Sequence, residues 1–127
     1  MAVSDNRPFY LNLIKIKLPV TGFVSIFHRI SGLLMFFALP YAVYLLGLSV
    51  EGDAGIDAVH VQLQNSFIQL ILLVLLWSVI HHLLAGIRFL LIDFDIGLEK
   101  GPANLFSWLV FALEAIIFIW LTVVILL

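Results

Sequence analysis

The chain has 127 residues, of which 64% are hydrophobic and only 11% charged, with a mean hydropathy of +1.21. This excludes a water-soluble domain and leaves room for one membrane domain of three spans of about 20 residues each. Cysteine is absent and no dinucleotide or phosphate-loop fingerprint occurs, so iron–sulfur ligation, covalent haem attachment and thiol chemistry are excluded, and a redox cofactor would fall to histidine or methionine, histidine being the better candidate.

Residues 1–23 carry Arg7, Lys15 and Lys17 and are broken by Pro8 and Pro19. They are expected outside the bilayer core. LNLIKIKLP alternates apolar and basic residues and suits either a segment resting on the membrane or a partner, or an ordinary solvated leader. The apolar run begins too far along the chain for a cleavable signal to be expected. A first span is expected over about 24–48; from Leu33 onward it has no charged or amide side chain, and Pro40 is expected to kink it. Residues 49–64 read as a polar link with Glu51, Asp53, Asp57 and His60, loosened by Gly52 and Gly55. The second span is expected over about 66–92. It is mostly apolar up to Ile80 and then meets His81, His82 and Arg88, side chains that must face protein, cofactor or water. After DFDIGLEKGPAN, a third span is expected over about 105–127, with Glu114 near its middle. Tyr10, Phe106 and Trp108 read as interfacial anchors.

All six basic residues, Arg7, Lys15, Lys17, Arg29, Arg88 and Lys100, fall before or at the start of span one or around the link between spans two and three. The positive-inside rule then predicts an up-down-up, all-α topology with the N-terminus and the second link in the cytoplasm, and the first link and C-terminus on the outer side.

His82 lies about 16 Å from Asp93 along the helix, deep in the span. A neutral imidazole there suits axial coordination of haem iron or a hydrogen bond to another helix. Gly86, one turn on, would let a flat macrocycle or a neighbouring helix approach. Adjacent side chains on a helix point about 100° apart, so His81 and His82 cannot both ligate one haem. His28 is expected at the cytoplasmic edge, too shallow to be the opposite ligand, so the second ligand is expected from another polypeptide. Ser25 and Arg29 share a helix face, with His28 beside Arg29 and Arg88 on the same cytoplasmic side. These donors could bind a quinone carbonyl or haem propionates, or the two arginines could simply snorkel to the interface.

Two blocks carry a resemblance. SIFHRISG resembles the S-x-x-H-R-x-[ST]-G signature, and HHLLAGIRFLLIDF the H-x-x-x-G-x-R-H-x-x-x-D signature, of the cytochrome b membrane-anchor subunit of succinate dehydrogenase, the succinate:quinone oxidoreductase of respiratory complex II. The leading RPFYLNL is similar to that family's N-terminus. The resemblance spans essentially the whole chain and implies one haem b with His82 as axial ligand, shared with a companion hydrophobic anchor subunit that supplies the other ligand. It also implies that Ser25 and Arg29 line a ubiquinone site and that His28 and Arg29 sit near the haem propionates. The implied partners are an iron–sulfur subunit and a flavoprotein, with the chain non-catalytic by itself, multi-pass in the inner membrane, and serving electron transport and the tricarboxylic acid cycle. No nucleic-acid partner is expected. Phe89 stands where the family commonly has a second histidine after the arginine. His81 is read as a possible supporting residue only.

Glu114 lies outside both motifs. A lone carboxylate in lipid must be protonated or paired, and the plainer reading, a protonated Glu114 bonded to the companion subunit, competes with a proton-relay role. The alternatives for the whole chain are a small proton-coupled transporter built on Glu114 and the histidine pair, and a haem-free anchor.

Overall fold

The computed structural model describes residues 17–126. Arg7, Lys15 and Tyr10, with the surface-segment and leader readings and the RPFYLNL resemblance, lie outside the described residues. Four helices follow in order, α1 (Val20–Ser49), α2 (Asp53–Leu63), α3 (Ser66–Asp93) and α4 (Lys100–Leu126). No strand occurs among the described residues. Three of the helices, α1, α3 and α4, are long and apolar enough to cross a membrane. The protein is a multi-pass, all-α membrane protein.

Local chemistry sets the ends. Pro19, extended at φ −67° and ψ 159°, precedes α1; proline fits a helix start because its missing N–H would have no partner there. Asn65 caps α3, its side-chain oxygen accepting from the N–H of Phe67 at 2.9 Å and of Ile68 at 3.4 Å, the usual satisfaction of orphan donors. α1 continues through Pro40.

The first link is not the loose connection expected from its glycines. Most of it forms α2, which starts after Gly52 at φ +90° with Asp53 in its first turn, where a negative charge offsets the helix dipole. Gly55 is buried with its Cα against the Leu48 carbonyl, so a glycine that suggested flexibility instead permits α2 to close on the end of α1. Tyr41 then donates to Gln62 Oε1 at 2.9 Å, and Gln62 Nε2 donates to the Tyr44 hydroxyl at 3.4 Å.

α3 packs on both α1 and α4, which also touch each other. The pairings run antiparallel: on α1, rising from His28 to Tyr41, the neighbours on α3 fall from His82 to Ile68. Few large apolar side chains are inside. Besides Gly55 of α2, the buried positions are Val24, Ser31, Ser78, Ile80, His81, Ala85, Arg88, Ser107, Val110 and Glu114, whereas Leu33, Phe36, Phe37, Leu70, Leu83, Ile116 and Trp120 are exposed. That inversion suits lipid, where helices associate through small residues and hydrogen bonds while apolar bulk faces outward. Each buried serine is satisfied on its own helix: Ser31 donates to the His28 carbonyl, Ser78 to Val74 and Ser107 to Ala103, all at 2.8 Å.

The α3–α4 connection turns at Asp95 (φ 62°) and Gly97 (φ 83°). A Cβ on Gly97 would stand 2.6 Å from the Phe106 ring. Phe106 therefore packs under the turn, while Trp108 is exposed. Gly97→Ala combines a left-handed φ with this contact, and it is expected to destabilise the bundle by about 1–2 kcal/mol, read as a lowered midpoint of thermal unfolding in detergent.

Candidate functional site

The two adjacent histidines of α3 meet different neighbours. His81 is fully buried. Its Nδ1 lies 2.7 Å from Glu114 Oε2 on α4, and its Nε2 lies 3.4 Å from the Val24 carbonyl on α1. A carbonyl can only accept, so Nε2–H donates to Val24, and one further proton lies between Nδ1 and the Glu114 carboxyl. The ring stacks on Trp77 at 5.5 Å and is flanked by Phe27 and Phe111, each at 5.9 Å. His81 is thus the point at which all three spanning helices touch one side chain.

His82, about 100° further round α3, turns to a different stretch of α1. Its Nδ1 is 3.2 Å from the His28 carbonyl and 3.3 Å from Ser31 Oγ. The Ser31 hydroxyl hydrogen is already donated to that same carbonyl, so both neighbours act as acceptors and Nδ1 carries the proton. The lone pair is then on Nε2, the tautomer that ligation through Nε2 requires, with the hydrogen bond at the other nitrogen that fixes ring orientation. Gly32 makes the arrangement possible: a Cβ there would approach His82 Cε1 to 3.1 Å and Nδ1 to 3.4 Å.

His28 is not shallower than His82. Their rings stack at 4.0 Å with planes 16° apart. The expectation of different depths fails because α1 begins at Val20; the eight residues to His28 place it about 12 Å into the helix, comparable to the roughly 16 Å between His82 and Asp93. The two still cannot be opposite ligands of one haem. Rings stacked face to face with centroids 4.0 Å apart leave no room for a macrocycle between them. Gly86 receives the His28 ring, since a Cβ there would be 3.6 Å from His28 Nε2. Phe89, at the position where the resembled family has histidine, packs edge-on to His28 at 5.1 Å.

Arg29 and Arg88 part company. Arg29 is exposed on α1 and Ser25 is half-buried. Arg88 is buried; its Nη2 donates to the Ala103 carbonyl at 3.5 Å, its guanidinium carbon stands 5.5 Å from the Phe89 ring centre, and its Nε has no hydrogen-bond partner among the described residues. The snorkelling reading does not hold for Arg88, which turns toward α4. Glu114 also departs from expectation. Its partner is His81 of this chain rather than a group on a companion subunit, because α3 and α4 bring the two side chains to one level. Ser31 and Gly32 belong to the site although neither was singled out; their signal was the fixed spacing after His28 within SIFHRISG.

A separate apolar cleft of about 470 Å³ lies between α1 and α3 further along the spans, lined by Leu34, Phe37, Ala38, Tyr41, Ile71 and Val74. It touches neither histidine.

Residues 3–121 match the family model of the succinate dehydrogenase/fumarate reductase transmembrane subunit. The chain belongs to this family. A succinate dehydrogenase cytochrome b556 subunit from Coxiella burnetii is 31% identical over 115 residues, covering 90% of this chain and 92% of that protein. Proteins with the same name from Rickettsia felis and Rickettsia bellii are 29% and 28% identical, covering 85% and 84% of this chain and 84% and 82% of theirs. The resemblance carried by the two sequence blocks is thereby established as family membership, which sets the transporter reading aside.

Glu114→Leu leaves the buried His81 Nδ1 without a partner and is expected to cost about 1–3 kcal/mol. Glu114→Gln keeps a partner, its amide N–H donating to the Nδ1 lone pair, and is expected to cost less than about 1 kcal/mol. Thermal unfolding of the two variants in detergent measures the difference.

Proposed function

We propose that this chain is the haem b-binding membrane anchor of a succinate:quinone oxidoreductase, with His82 as one axial ligand. The observation that carries the reading is the commitment of His82 Nδ1 to the His28 carbonyl and Ser31, which leaves Nε2 as the lone-pair nitrogen deep in a span. The cytochrome b556 name of the relatives supports haem b as the group held there. Haem bound at this nitrogen supplies one-electron redox chemistry.

The other residues act around that ligand. Ser31 and the His28 backbone hold the ring in its tautomer, and Gly32 gives it space. The stacked His28 cannot supply the second ligand, which supports a companion anchor subunit as its source and a haem shared between two chains. His28 and Arg29 lie within one turn of each other on α1 and are assigned to the propionate side; Arg29 is exposed and free to meet an anion. Ser25 and Arg29, one turn apart, are assigned to the ubiquinone site, where a hydroxyl and a guanidinium can donate to a quinone carbonyl and offset the charge that develops on its oxygen during reduction.

Catalysis belongs to an assembly. Without cysteine the chain holds no iron–sulfur centre, so succinate oxidation is assigned to a flavoprotein and electron delivery to an iron–sulfur subunit, both tethered by this chain as one membrane-anchor domain. By itself the chain is non-catalytic. The basic residues support an N-terminus and second link in the cytoplasm and a C-terminus on the outer side of the inner membrane.

A reduced-minus-oxidised optical spectrum of membranes holding the assembled complex tests the reading. Wild type is expected to show a b-type signal that His82→Ala loses. A wild-type complex without that signal leaves a haem-free anchor. Arg29→Ala is expected to lower quinone reduction about 10²-fold or more, with succinate oxidation by an artificial acceptor retained.

A further inference from the structure

The pairing of His81 with Glu114 is not used by the proposed function, although it is a buried side-chain hydrogen bond that joins α3 to α4. His81 and His82 are consecutive on α3, and each ring reaches a carbonyl of α1: Val24 for His81 at 3.4 Å and His28 for His82 at 3.2 Å. Those two carbonyls are one helical turn apart. α3 is therefore held to α1 at two successive levels. Both of these bonds go to α1, and neither ties α3 to α4. Glu114 acts from α4, gripping the remaining nitrogen of His81 at 2.7 Å. With Trp77 stacked on the ring and Phe27 and Phe111 beside it, His81 has no freedom to turn, and the peptide that joins it to His82 inherits that restraint.

We propose that Glu114 is a positioning residue: through the His81 ring it fixes the rotation of α3 about its axis and thereby the plane in which the His82 imidazole is presented to haem iron. The inference rests on His82 being an axial ligand. The agent is the hydrogen bond between Glu114 and His81 Nδ1, and charge is not required: with Nε2–H given to Val24, the amide N–H of a glutamine donates to the Nδ1 lone pair, so an amide at this position serves as well.

The test uses the complete complex, co-expressed with its partner subunits, with haem content measured first by the pyridine haemochromogen. The readout is the electron paramagnetic resonance spectrum of the ferric low-spin haem, whose largest g value depends on how the axial ligand planes are turned, together with the haem reduction potential, which responds to ligand orientation and hydrogen bonding. Glu114→Gln is expected to reproduce the wild-type g value and potential. Glu114→Leu is expected to shift both at undiminished haem content, and Glu114→Asp, one methylene shorter, to shift them in the same sense by less. The Asp variant keeps the test decisive if the Leu variant fails to assemble. Wild-type g values and potential in the Asp variant, or in a haem-loaded Leu variant, overturn the inference while leaving His82 ligation intact. A Gln variant shifted as far as the Leu variant overturns it too, because charge and not the bond would then be acting. A wild-type complex with no b-type haem overturns both readings together.

Discussion

Hydrocarbon offers no water to a buried N–H, and this one constraint governs the middle of the bundle. Two adjacent imidazoles on α3 bring up to four ring nitrogens into that region, and each nitrogen that carries a proton must find an acceptor on another helix. α1 meets the demand with the Val24 and His28 carbonyls, and α4 meets it with Glu114. Once these partners are in place, the antiparallel pairing of α1 with α3 has one register. A shift of one residue along either helix would strand a ring nitrogen.

Close approach of the helices follows from the same need. A carbonyl can be reached from a neighbouring helix only where little side chain intervenes, and the positions at the contacts are Ser31, Gly32, Ala85 and Gly86. The serines add no unsatisfied group because each bonds within its own helix. Large apolar residues are displaced outward, the arrangement that suits lipid. Stability and chemistry therefore share residues. Ser31 closes a helix contact and also orients His82, and Gly32 admits the ring that is proposed to meet the iron.

The arginines show how position divides similar side chains. Arg88 emerges from α3 toward α4 and is enclosed, its nearest acceptor the Ala103 carbonyl. Arg29 leaves α1 on an exposed face with Ser25 one turn before it. Of the two arginines among the described residues, Arg29 is the one that can approach a ligand without rearranging the bundle, which is the physical basis for proposing quinone and propionate contacts for it and a packing role for Arg88.

The sequence by itself determined the membrane setting, the three spans and the family, because these depend on composition, on run length and on the local spacing of residues within two short blocks. It also made His82 stand out, since a histidine deep in an apolar run needs a partner whatever the packing. α2 was not legible. Gly52 and Gly55 look like flexible points until the end of α1 is seen lying against Gly55. The level of His28 and the partner of Glu114 were decided only by tertiary structure. Both depend on the relative slide of helices that are far apart in sequence, and periodicity within one helix contains no information about its offset from the next. The tautomer of His82 likewise became readable only when the acceptors on α1 were in view, because a ring nitrogen's proton is set by what faces it.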